Sequence, residues 1–445
     1  MMRFTRRGTL KVGLGAVAGT SLLGSTSLRA EIPVNEATPP SYKVEDGASL
    51  RILRPAKFVQ GDETVFLANS KKFEEQYGVP VKVDSESWED LRPKTAVAAS
   101  IGSGPDVILA WSDDPHQFPG ATMDLTDLAD YLGKKYGGWW PLAEKYGKDK
   151  DGRWIALPIG ASGGRVVYRK SWVNEAGFDG IPGDLDGFLN LCRALKKSGH
   201  PPGFALGNAV GDGNAWTSWA LWSHGGAVSD ENDNVIINSK ETIEALKYAK
   251  ELYSTFIPGT LAWLDPSNNK AFLAGEISLT QNGISVYYAA KTSQDEGVRQ
   301  LAEDIFHARM PIGPLGRPGE RALVINTMVL NSTKFPNAAR EYVRFMMERE
   351  QYDPWLQASI GYWGHPLKAY DASEIWTADP KHEPYKHVMA DALWDGYRGS
   401  LGESSAAVLA DYVVVQMFAS VCAGQMTPEE AAKEAERRAK RYYRT

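Results

Sequence analysis

An uninterrupted apolar run at residues 107–110 constrains the fold of this chain more than any other feature of its sequence. Strands of parallel sheets typically have continuous apolar sequences, because helices cover both faces of the sheet. The run ends abruptly in Trp111, Asp113 and Asp114, which supply an indole and two carboxylates. This change of chemistry predicts that the strand ends at a site where a polar ligand binds.

The segments around this run alternate between strand and helix. Residues 50–53 and 79–83 are predicted strands, and residues 62–77 are a predicted helix that Gly78 ends in a left-handed conformation. A second helix is predicted near residues 91–100. A strand–helix–strand–helix–strand order predicts a doubly wound α/β sheet, whose strands end at one crevice. Trp88, in a predicted loop after the second strand, would face that crevice.

A glycine-rich link joins two further predicted strands, residues 154–159 and 165–168. Gly160, Gly163 and Gly164 permit large backbone rotations, so the link is either a hinge between two domains or a plain turn. The spacing of these glycines matches neither the dinucleotide fingerprint nor the phosphate loop. The link therefore indicates a change of direction in the chain and no nucleotide site.

Helices dominate the chain beyond this link. Asn238 with Glu241, and Thr427 with Glu430, are predicted capping boxes that begin two of them. The chain has 445 residues, which is a length that suits two α/β domains better than one core. The second half is therefore expected to carry most of a second domain.

Positions 1–30 have the pattern of an export signal. Arg6 and Arg7 precede a weakly apolar stretch, residues 12–28, that is too short and interrupted to span a membrane. Paired arginines before such a stretch resemble a twin-arginine signal, and an ordinary secretory signal is the alternative. Residues 31–47 are polar and proline-bearing and predict a flexible leader. We therefore expect the mature chain in the periplasm.

Charge and cysteine content exclude several classes of protein. The net charge is −6, and the first thirty positions hold five basic residues and no acid, so the remainder is more acidic still. This balance argues against nucleic acid or an anionic membrane as the main partner. The two cysteines, Cys192 and Cys422, lie in apolar helical surroundings and predict buried free thiols.

An exported enzyme is the main alternative to a binding protein at this stage. Asp113 and Asp114 are adjacent, so on an extended chain they point to opposite sides and cannot form a glycosidase pair by themselves. His382 and His387 are five residues apart and fall on different helix faces, which excludes a zinc-binding helix pair. The sequence therefore predicts no catalytic residue, no metal and no cofactor.

Four segments, taken in order, resemble the extracellular solute-binding proteins of ABC importers, in particular the large sugar-binding type (family 1) that includes maltodextrin-binding proteins. The resemblance implies a type II periplasmic-binding-protein fold, in which two doubly wound α/β domains enclose an interlobe ligand cleft. The segments that carry it are residues 104–107 with Trp111 and Asp113, residues 157–159 with 167–172, residues 271–283, and residues 336–346.

The resemblance also implies where the chain passes between the lobes. Crossings are expected near Gly160, Pro311 and Asp353, with Gly160, Gly163 and Pro311 as hinge residues. The lobes predicted in this way are residues 48–160 plus 311–352 for lobe 1, and residues 161–310 plus 353–445 for lobe 2.

The predicted binding residues combine aromatic rings with polar groups. An aromatic face packs on the apolar face of a sugar ring, while carboxylates and amides bind its hydroxyls. By resemblance Asp113 stands where the family places a hydroxyl-binding carboxylate, whereas Asp114 could instead cap a helix. The predicted ligand contacts are Trp88, Trp111, Asp113, Asp114, Asn214, Trp216, Asn282, Gly283, Tyr287, Tyr362 and Trp363.

The sequence therefore predicts a soluble, monomeric exported receptor that captures a carbohydrate or polyol and delivers it to the membrane permease of an ABC transporter. A polyamine is an alternative ligand, because Asp113 and Asp114 with Trp111 could bind ammonium groups. A glycerol phosphate-type solute would need a cation, for which Arg165 is the candidate. A carbohydrate-active enzyme exported by the twin-arginine route is the remaining alternative.

Overall fold

The structure is a computed structural model that describes residues 31–443. The predicted export signal, positions 1–30, lies outside the described residues. Eight strands occur in the described range: β1 (Leu50–Pro55), β2 (Val81–Glu86), β3 (Val107–Trp111), β4 (Leu157–Gly163), β5 (Arg165–Arg169), β6 (Leu279–Asn282), β7 (Ile305–Ala308) and β8 (Ala322–Val329).

Nineteen α-helices and four short 3-10 turns complete the elements of residues 31–443. The helices are α1 (Gln60–Tyr77), α2 (Trp88–Ile101), α3 (Asp114–Gln117), α4 (Thr126–Lys135), α5 (Pro141–Gly147), α6 (Lys170–Glu175), α7 (Leu185–Lys197), α8 (Asp212–Ser223), α9 (Lys240–Tyr253), α10 (Asp265–Leu273), α11 (Ser285–Lys291), α12 (Glu296–Asp304), α13 (Pro336–Met347), α14 (Arg349–Ala358), α15 (Ile375–Ala378), α16 (Val388–Asp391), α17 (Glu403–Ala410), α18 (Val413–Cys422) and α19 (Pro428–Ala439). The 3-10 turns are Pro119–Ala121, Thr260–Ala262, Lys368–Ala372 and Glu383–Tyr385.

The first sheet has five strands in the order β2-β1-β3-β8-β4. β1 pairs in parallel with β2 and with β3, whereas β8 lies antiparallel between β3 and β4. Every residue of β3 is buried, and its register runs from Val107 opposite Val329 to Trp111 opposite Ile325. The apolar run is therefore a central strand covered on both faces, which confirms the prediction made from its composition.

The second sheet is smaller, with three antiparallel strands in the order β6-β5-β7. Helices α7, α8, α9, α18 and α19 surround a separate apolar core that includes Phe188, Trp216, Leu246 and Phe418. Cys192 and Cys422 are free thiols buried in this core, as predicted. Burial in these apolar surroundings raises the pKa of both thiols.

The chain passes between the two sheets at several points. β4 of the first sheet continues through Gly164 directly into β5 of the second, and β7 returns to β8 through residues 309–321. α14 packs against α1, and α16 packs against β4 and α5, so the chain stays beside the first sheet through α16. α17 contacts both α3, which follows β3 of the first sheet, and α18. α18 and α19 then pack against each other and against helices of the second core.

Local capping signals decide where several helices begin and end. Gly78 has φ 67° and its N–H donates to the Glu74 carbonyl, so α1 ends as predicted. Thr427 and Glu430 form the predicted capping box of α19. α9, in contrast, begins one residue later than predicted, because the hydroxyl of Ser239 accepts the N–H of Thr242.

Trp88 lies at the first position of α2 and not in a loop as predicted. The Ser87 hydroxyl accepts the N–H of Asp90, which caps the helix immediately before the indole. Capping by a serine requires only that its side chain reach the second or third following N–H. The sequence Ser87 to Asp90 therefore starts a helix where the apolar pattern alone predicted a later beginning.

Residues 31–47, predicted as a flexible leader, make specific contacts along the first core. Ile32 is buried, and the Tyr42 hydroxyl donates to the carboxylate of Asp127. The Glu45 carboxylate accepts the N–H groups of Asn337 and Ala338 at the start of α13. An acidic side chain at that position satisfies helix donors that would otherwise lack partners, so the leader is held in place.

The stretch Glu403–Cys422 is long and apolar enough to span a membrane by length and composition. It comprises α17 and α18, which are separated by Tyr412 with φ 52°. Half of the stretch is buried inside the protein, where Val415, Phe418 and Val421 contribute to the second core. Core packing thus accounts for its apolar composition.

Candidate functional site

A narrow pocket with a free volume of about 20 Å³ lies between the two sheets, where β4 crosses into β5. Its walls come from the first sheet's side, from the second sheet and from the loop after α14. The lining combines two carboxylates, two amides and three aromatic rings, which is the chemistry that binds a polar molecule with apolar faces. It is lined by Phe58, Trp88, Ser162, Gly163, Gly164, Gly211, Asp212, Ala215, Asp265, Gln281, Asn282, Gly283, Ser285, Leu323 and Tyr362.

The acidic side of the pocket is built from the starts of α8 and α10. The Asp265 carboxylate accepts the N–H of Gly211 at 3.1 and 3.2 Å and the N–H of Asp212 at 2.7 Å. These N–H groups begin α8 and lack helical partners, so a carboxylate is well suited to bind them. Asp212 in turn accepts the Asn268 amide through Oδ2 at 2.8 Å.

Both carboxyl groups have raised pKa values. Burial raises the pKa of Asp265 to about 6, although the N–H groups of Asp212 and Gly211 act in the opposite direction. Burial, followed by the negative charge of Asp265, raises the pKa of Asp212 above its usual range. Two such groups in one pocket oppose each other's ionisation, and they titrate as a pair.

The end of β6 supplies the amide side of the pocket. Gln281 is buried, and its Oε1 has no hydrogen-bond partner among the described residues. The Asn282 Oδ1 accepts the N–H of Gly283, and its Nδ2 donates to Oδ1 of Asn269 at 2.5 Å. Because an unpaired buried acceptor is costly, the Gln281 oxygen is a group that a ligand donor would satisfy.

Aromatic rings form the opposite side of the pocket. The rings of Phe58 and Trp88 meet edge to face at 4.4 Å, and Phe58 stacks with Tyr362 at 6.3 Å. The Trp88 indole donates to the Ala56 carbonyl, which fixes its orientation. Burial raises the pKa of Tyr362, so its hydroxyl remains protonated and can donate. Fixed aromatic faces of this kind suit the apolar face of a ring-shaped or aliphatic ligand.

Close packing requires the glycines of the crossing segment. A Cβ on Gly164 would lie 1.5 Å from Nε2 of Gln281, and a Cβ on Gly160 would lie 2.8 Å from Cβ of Trp363. Gly160 and Gly163 both lie within β4, and Pro311 lies between β7 and β8. Close approach explains these glycines, while the hinge role of Gly160, Gly163 and Pro311 stays a prediction.

Trp111, Asp113 and Asp114 lie behind the pocket and do not line it. The Trp111 indole is fully buried, contacts Trp88 at 4.7 Å between ring centroids and donates to its carbonyl. Arg92 binds both oxygens of Asp113 at 2.7 and 3.1 Å. The same guanidinium lies 3.0 Å from Asp114, whose Oδ2 accepts the N–H of Trp111. The partly exposed guanidinium of Arg92 thus occupies the buried carboxylates that we expected to bind ligand.

Four other predicted contacts also lie outside the pocket lining. Trp216 belongs to the second core and donates to the Ala205 carbonyl, because its place on α8 turns it away from the pocket. Asn214 donates to the Ala209 and Val210 carbonyls. Tyr287 donates to Asp379. Trp363 is buried behind Tyr362, with 4.8 Å between ring centroids.

The structure therefore brings Trp88, Asn282, Gly283 and Tyr362 to one pocket, out of the eleven predicted contacts. The sequence analysis missed Asp212 and Asp265, although both have a local signal. Asp212 lies between two glycines at a helix start, and Asp265 precedes Pro266, a residue type that is tolerated in the first turn of a helix. Gln281, Phe58 and Ser162 were also missed.

Within residues 31–443, histidine, cysteine, aspartate and glutamate side chains form no group of three or more that could hold a metal ion. The buried histidines are accounted for individually. His116 contacts the Tyr146 carbonyl, and burial lowers its pKa to about 4. His365 lies 2.8 Å from a carboxylate oxygen of Asp371. His382, the third buried histidine, contacts the Ile375 carbonyl at 2.9 Å and lies 4.0 Å from Asp379. Each of the three imidazoles thus has a partner within the protein.

Comparison with known proteins identifies the family of this chain. Residues 68–384 match the model of the bacterial extracellular solute-binding protein family. Binding proteins of Brucella abortus (strain 2308) and Brucella suis biovar 1 are each 21% identical over 288 residues, which cover 63% of this chain and 67% of theirs.

Solved structures give the same result for the fold. Maltose-bound MalE3 of T. maritima superposes with a TM-score of 0.74 at 20% identity, covering 88% of this chain and 99% of that one. A ribitol-bound solute-binding protein of Agrobacterium radiobacter K84 gives 0.72 at 18% identity, covering 90% and 100%. The two-lobed periplasmic-binding-protein fold is thereby confirmed. The chain belongs to the bacterial extracellular solute-binding protein family.

Proposed function

We propose that this protein captures a carbohydrate or polyol in the pocket between its two sheets and delivers it to the membrane permease of an ABC transporter. The observation that carries the proposal is the pairing of Asp212 and Asp265 on one side of the pocket with Trp88 and Tyr362 on another. Carboxylates accept hydroxyl protons, while aromatic faces bind the apolar face of the same molecule.

Similar proteins support this class of ligand. One solved structure at a TM-score of 0.74 is a sugar transporter of Arthrobacter chlorophenolicus A6 with bound laminaribiose. The proteins from T. maritima and Agrobacterium radiobacter K84 hold maltose and ribitol. Sugars and polyols both carry adjacent hydroxyl groups on a carbon chain or ring. The pocket offers hydrogen-bond acceptors for the hydroxyl groups and aromatic faces for the carbon atoms.

A phosphate ester finds no support in the pocket. Arg165, the candidate cation of the sequence analysis, lies 2.7 Å from Glu320 and also donates to the Pro384 carbonyl. With these partners the guanidinium is already neutralised and is unavailable to a phosphate group. A polyamine remains the second candidate, because the carboxylate of Asp212 could bind an ammonium group.

The proposed mechanism is closure of two lobes on the ligand. The ligand would contact both lobes only in the closed form, so binding shifts the population towards that form. We propose that the lobes follow the two sheets, with crossings at Gly164 and in residues 309–321. A third crossing is proposed at α17, which contacts α3 on one side and α18 on the other, instead of near Asp353. Gly160, Gly163 and Pro311 are the proposed hinge residues.

Family membership places the chain among exported proteins that bind solutes. We propose that Arg6 and Arg7 direct it through the twin-arginine pathway into the periplasm. In this proposal the protein acts as a monomer without catalytic activity, and its partners are the ligand and the permease subunits.

Titration calorimetry on the purified protein tests the proposal. The titrants are monosaccharides, disaccharides, sugar alcohols, putrescine, spermidine and glycerol phosphodiesters. We expect saturable heat from at least one sugar or polyol, and a loss of affinity of about tenfold or more in Asp265→Ala. Asp130→Asn, an exposed acid on α4, is the matched control. Saturable binding of polyamines or phosphodiesters without any sugar or polyol would overturn the proposal.

A further inference from the structure

We infer that the ligand carries a single protonated amine in addition to its hydroxyls, so that the pocket is built for an amino sugar or an amino polyol. This inference rests on the proposed function and narrows it to one ligand class. It follows from a comparison of the pocket with the other places where this chain buries an acidic side chain.

Buried acids elsewhere in the described chain have basic partners. Eight acidic residues are buried in residues 31–443, and an arginine or lysine lies within ion-pair distance of seven of them. The exception is Asp265. The seven paired acids are Asp62, Asp113, Asp114, Glu320, Glu341, Glu348 and Asp395.

The acids of the pocket differ from the other buried acids of the described chain in having no basic partner. Neither Asp265 nor Asp212 has an ion-pair partner among the described residues, and the charged group that acts on Asp265 from α2 is another acid, Glu89. Lysine, arginine and histidine are absent from the described lining of the pocket. Without a basic partner in the chain, these acids are relieved either by protonation or by a cation from outside, and a ligand ammonium group would supply that cation.

The carboxylates of Asp265 and Asp212 differ in whether an oxygen is left available to a ligand. Asp265 is occupied by the N–H groups of Gly211 and Asp212, so its role is to position the start of α8. Asp212 is only partly buried, and Oδ2 is the oxygen that binds Asn268. Oδ1 of Asp212 has no hydrogen-bond partner among the described residues. One available carboxylate oxygen suits one ammonium group, which distinguishes a monoamine from a polyamine.

A second observation points to a donor-rich ligand. The Gln281 side chain is 3% exposed and lines the pocket, yet its Oε1 has no partner among the described residues. An ammonium or hydroxyl group can satisfy this oxygen, whereas a ligand that only accepts hydrogen bonds cannot.

The remaining walls fit the same ligand class. Trp88, Phe58 and Tyr362 present aromatic rings, which attract a cation as well as the C–H face of a sugar. The free volume of the pocket is only about 20 Å³. A sugar ring or a short polyol chain therefore enters only when the two lobes move apart, as the proposed closure mechanism requires.

Matched amine and neutral probes test the inference on the purified full chain at neutral pH. The pairs are glucosamine with glucose, glucamine with sorbitol, and ethanolamine with ethylene glycol. N-acetylglucosamine is added as an uncharged amide derivative of glucosamine. Thermal shift and calorimetry measure the binding of each compound. We expect at least one amine to bind about tenfold tighter than its neutral partner. The preference should fall below about threefold in Asp212→Asn and persist in Asp130→Asn.

The outcomes separate the inference from the proposed function. Neutral sugars or polyols that bind as tightly as their amines would overturn the inference and leave the proposed function standing. Binding of putrescine and spermidine alone would overturn both. The inference would also be overturned if no amine raised the melting temperature in a way that Asp212→Asn abolishes. The carboxylates without basic partners would then have another explanation.

Discussion

The backbone N–H of Asp212 donates to the carboxylate of Asp265 over 2.7 Å, although 53 residues separate the two positions. One acid of the pocket is therefore held in place by the other. Asp265 lies at the start of α10 and Asp212 at the start of α8, so this single bond also joins two helix N-termini. The pocket depends on it, because Asp212 is the carboxylate that remains available to a ligand.

Asp265→Ala should weaken both the fold and the site. The substitution leaves the N–H groups of Gly211 and Asp212 without an acceptor, which costs about 1 to 3 kcal/mol of unfolding free energy. Ligand affinity should also fall, since the loop that carries Asp212 loses its anchor. Urea denaturation and calorimetry measure the two effects. Unchanged affinity in the folded variant would contradict the positioning role of Asp265.

Asp212→Asn should change how stability depends on pH. The folded-state pKa of Asp212 is raised by burial and by Asp265, so the stability associated with its protonated form is present at acidic pH and is lost as the pH rises. Asparagine resembles the protonated form at every pH. Without ligand, the variant should match the wild type near pH 4 and exceed its unfolding free energy by about 1 to 3 kcal/mol near pH 8.

Denaturation curves at a series of pH values check whether the stability advantage of Asp212→Asn over the wild type grows as the pH rises. An advantage of the variant that is constant across the range, or larger at the acidic end, would mean that the Asp212 pKa is not raised in the folded protein.

Gly164→Ala should reduce binding while the protein still folds. The new Cβ would lie 1.5 Å from Nε2 of Gln281, which is the flexible end of a side chain and can move. Its displacement takes the unpartnered Oε1 away from the pocket, and affinity should fall by about tenfold. Gly180→Ala is the matched control, since a Cβ there meets nothing within 4 Å. Equal affinity of the two variants would exclude a role for Gln281.

Trp88→Ala should lower ligand affinity by about 1 to 3 kcal/mol, because Trp88 supplies an aromatic face to the pocket. Trp140→Ala removes an indole that is partly buried and far from the pocket lining, where Lys368 covers its ring. Calorimetry on both variants separates loss of a ligand contact from loss of general packing. A comparable affinity for both would place Trp88 among the merely structural residues.

Asp113→Asn should lower stability and leave ligand affinity unchanged in the molecules that fold. The substitution disrupts a buried, bidentate ion pair with Arg92, and breaking such a pair costs about 3 to 5 kcal/mol. Thermal denaturation and calorimetry are the measurements. The sequence analysis placed Asp113 against the ligand, and a stable variant with strongly reduced affinity would restore that assignment.

The sequence predicted the features that depend on neighbouring residues. The apolar run of β3, the left-handed end of α1 at Gly78 and the capping box at Thr427 are all local patterns, and the structure contains each of them. The α/β class followed from the order of such segments. The resemblance to solute-binding proteins supplied the two-lobed arrangement, which local patterns could not provide.

The site was harder to predict because its residues meet only in the folded chain. Arg92 lies 21 residues before Asp113, and nothing local in the sequence indicates that it occupies that carboxylate. Trp111 and Trp216 have the composition of ligand contacts, yet both are buried packing residues. Large aromatic side chains serve cores and ligand sites equally well, and burial, which decides between the two roles, is a property of the whole fold.

The position of β8 has a consequence for how this protein is made. β8 pairs with β3 on one side and β4 on the other, and it joins the two halves of the first sheet. The ribosome synthesises β3 and β4 long before it reaches Ala322. Until β8 is made, the edges of β3 and β4 that pair with it have no hydrogen-bonding partner strand. The nascent chain thus carries an unfinished sheet until translation passes Val329, and chaperones have most to protect in that interval.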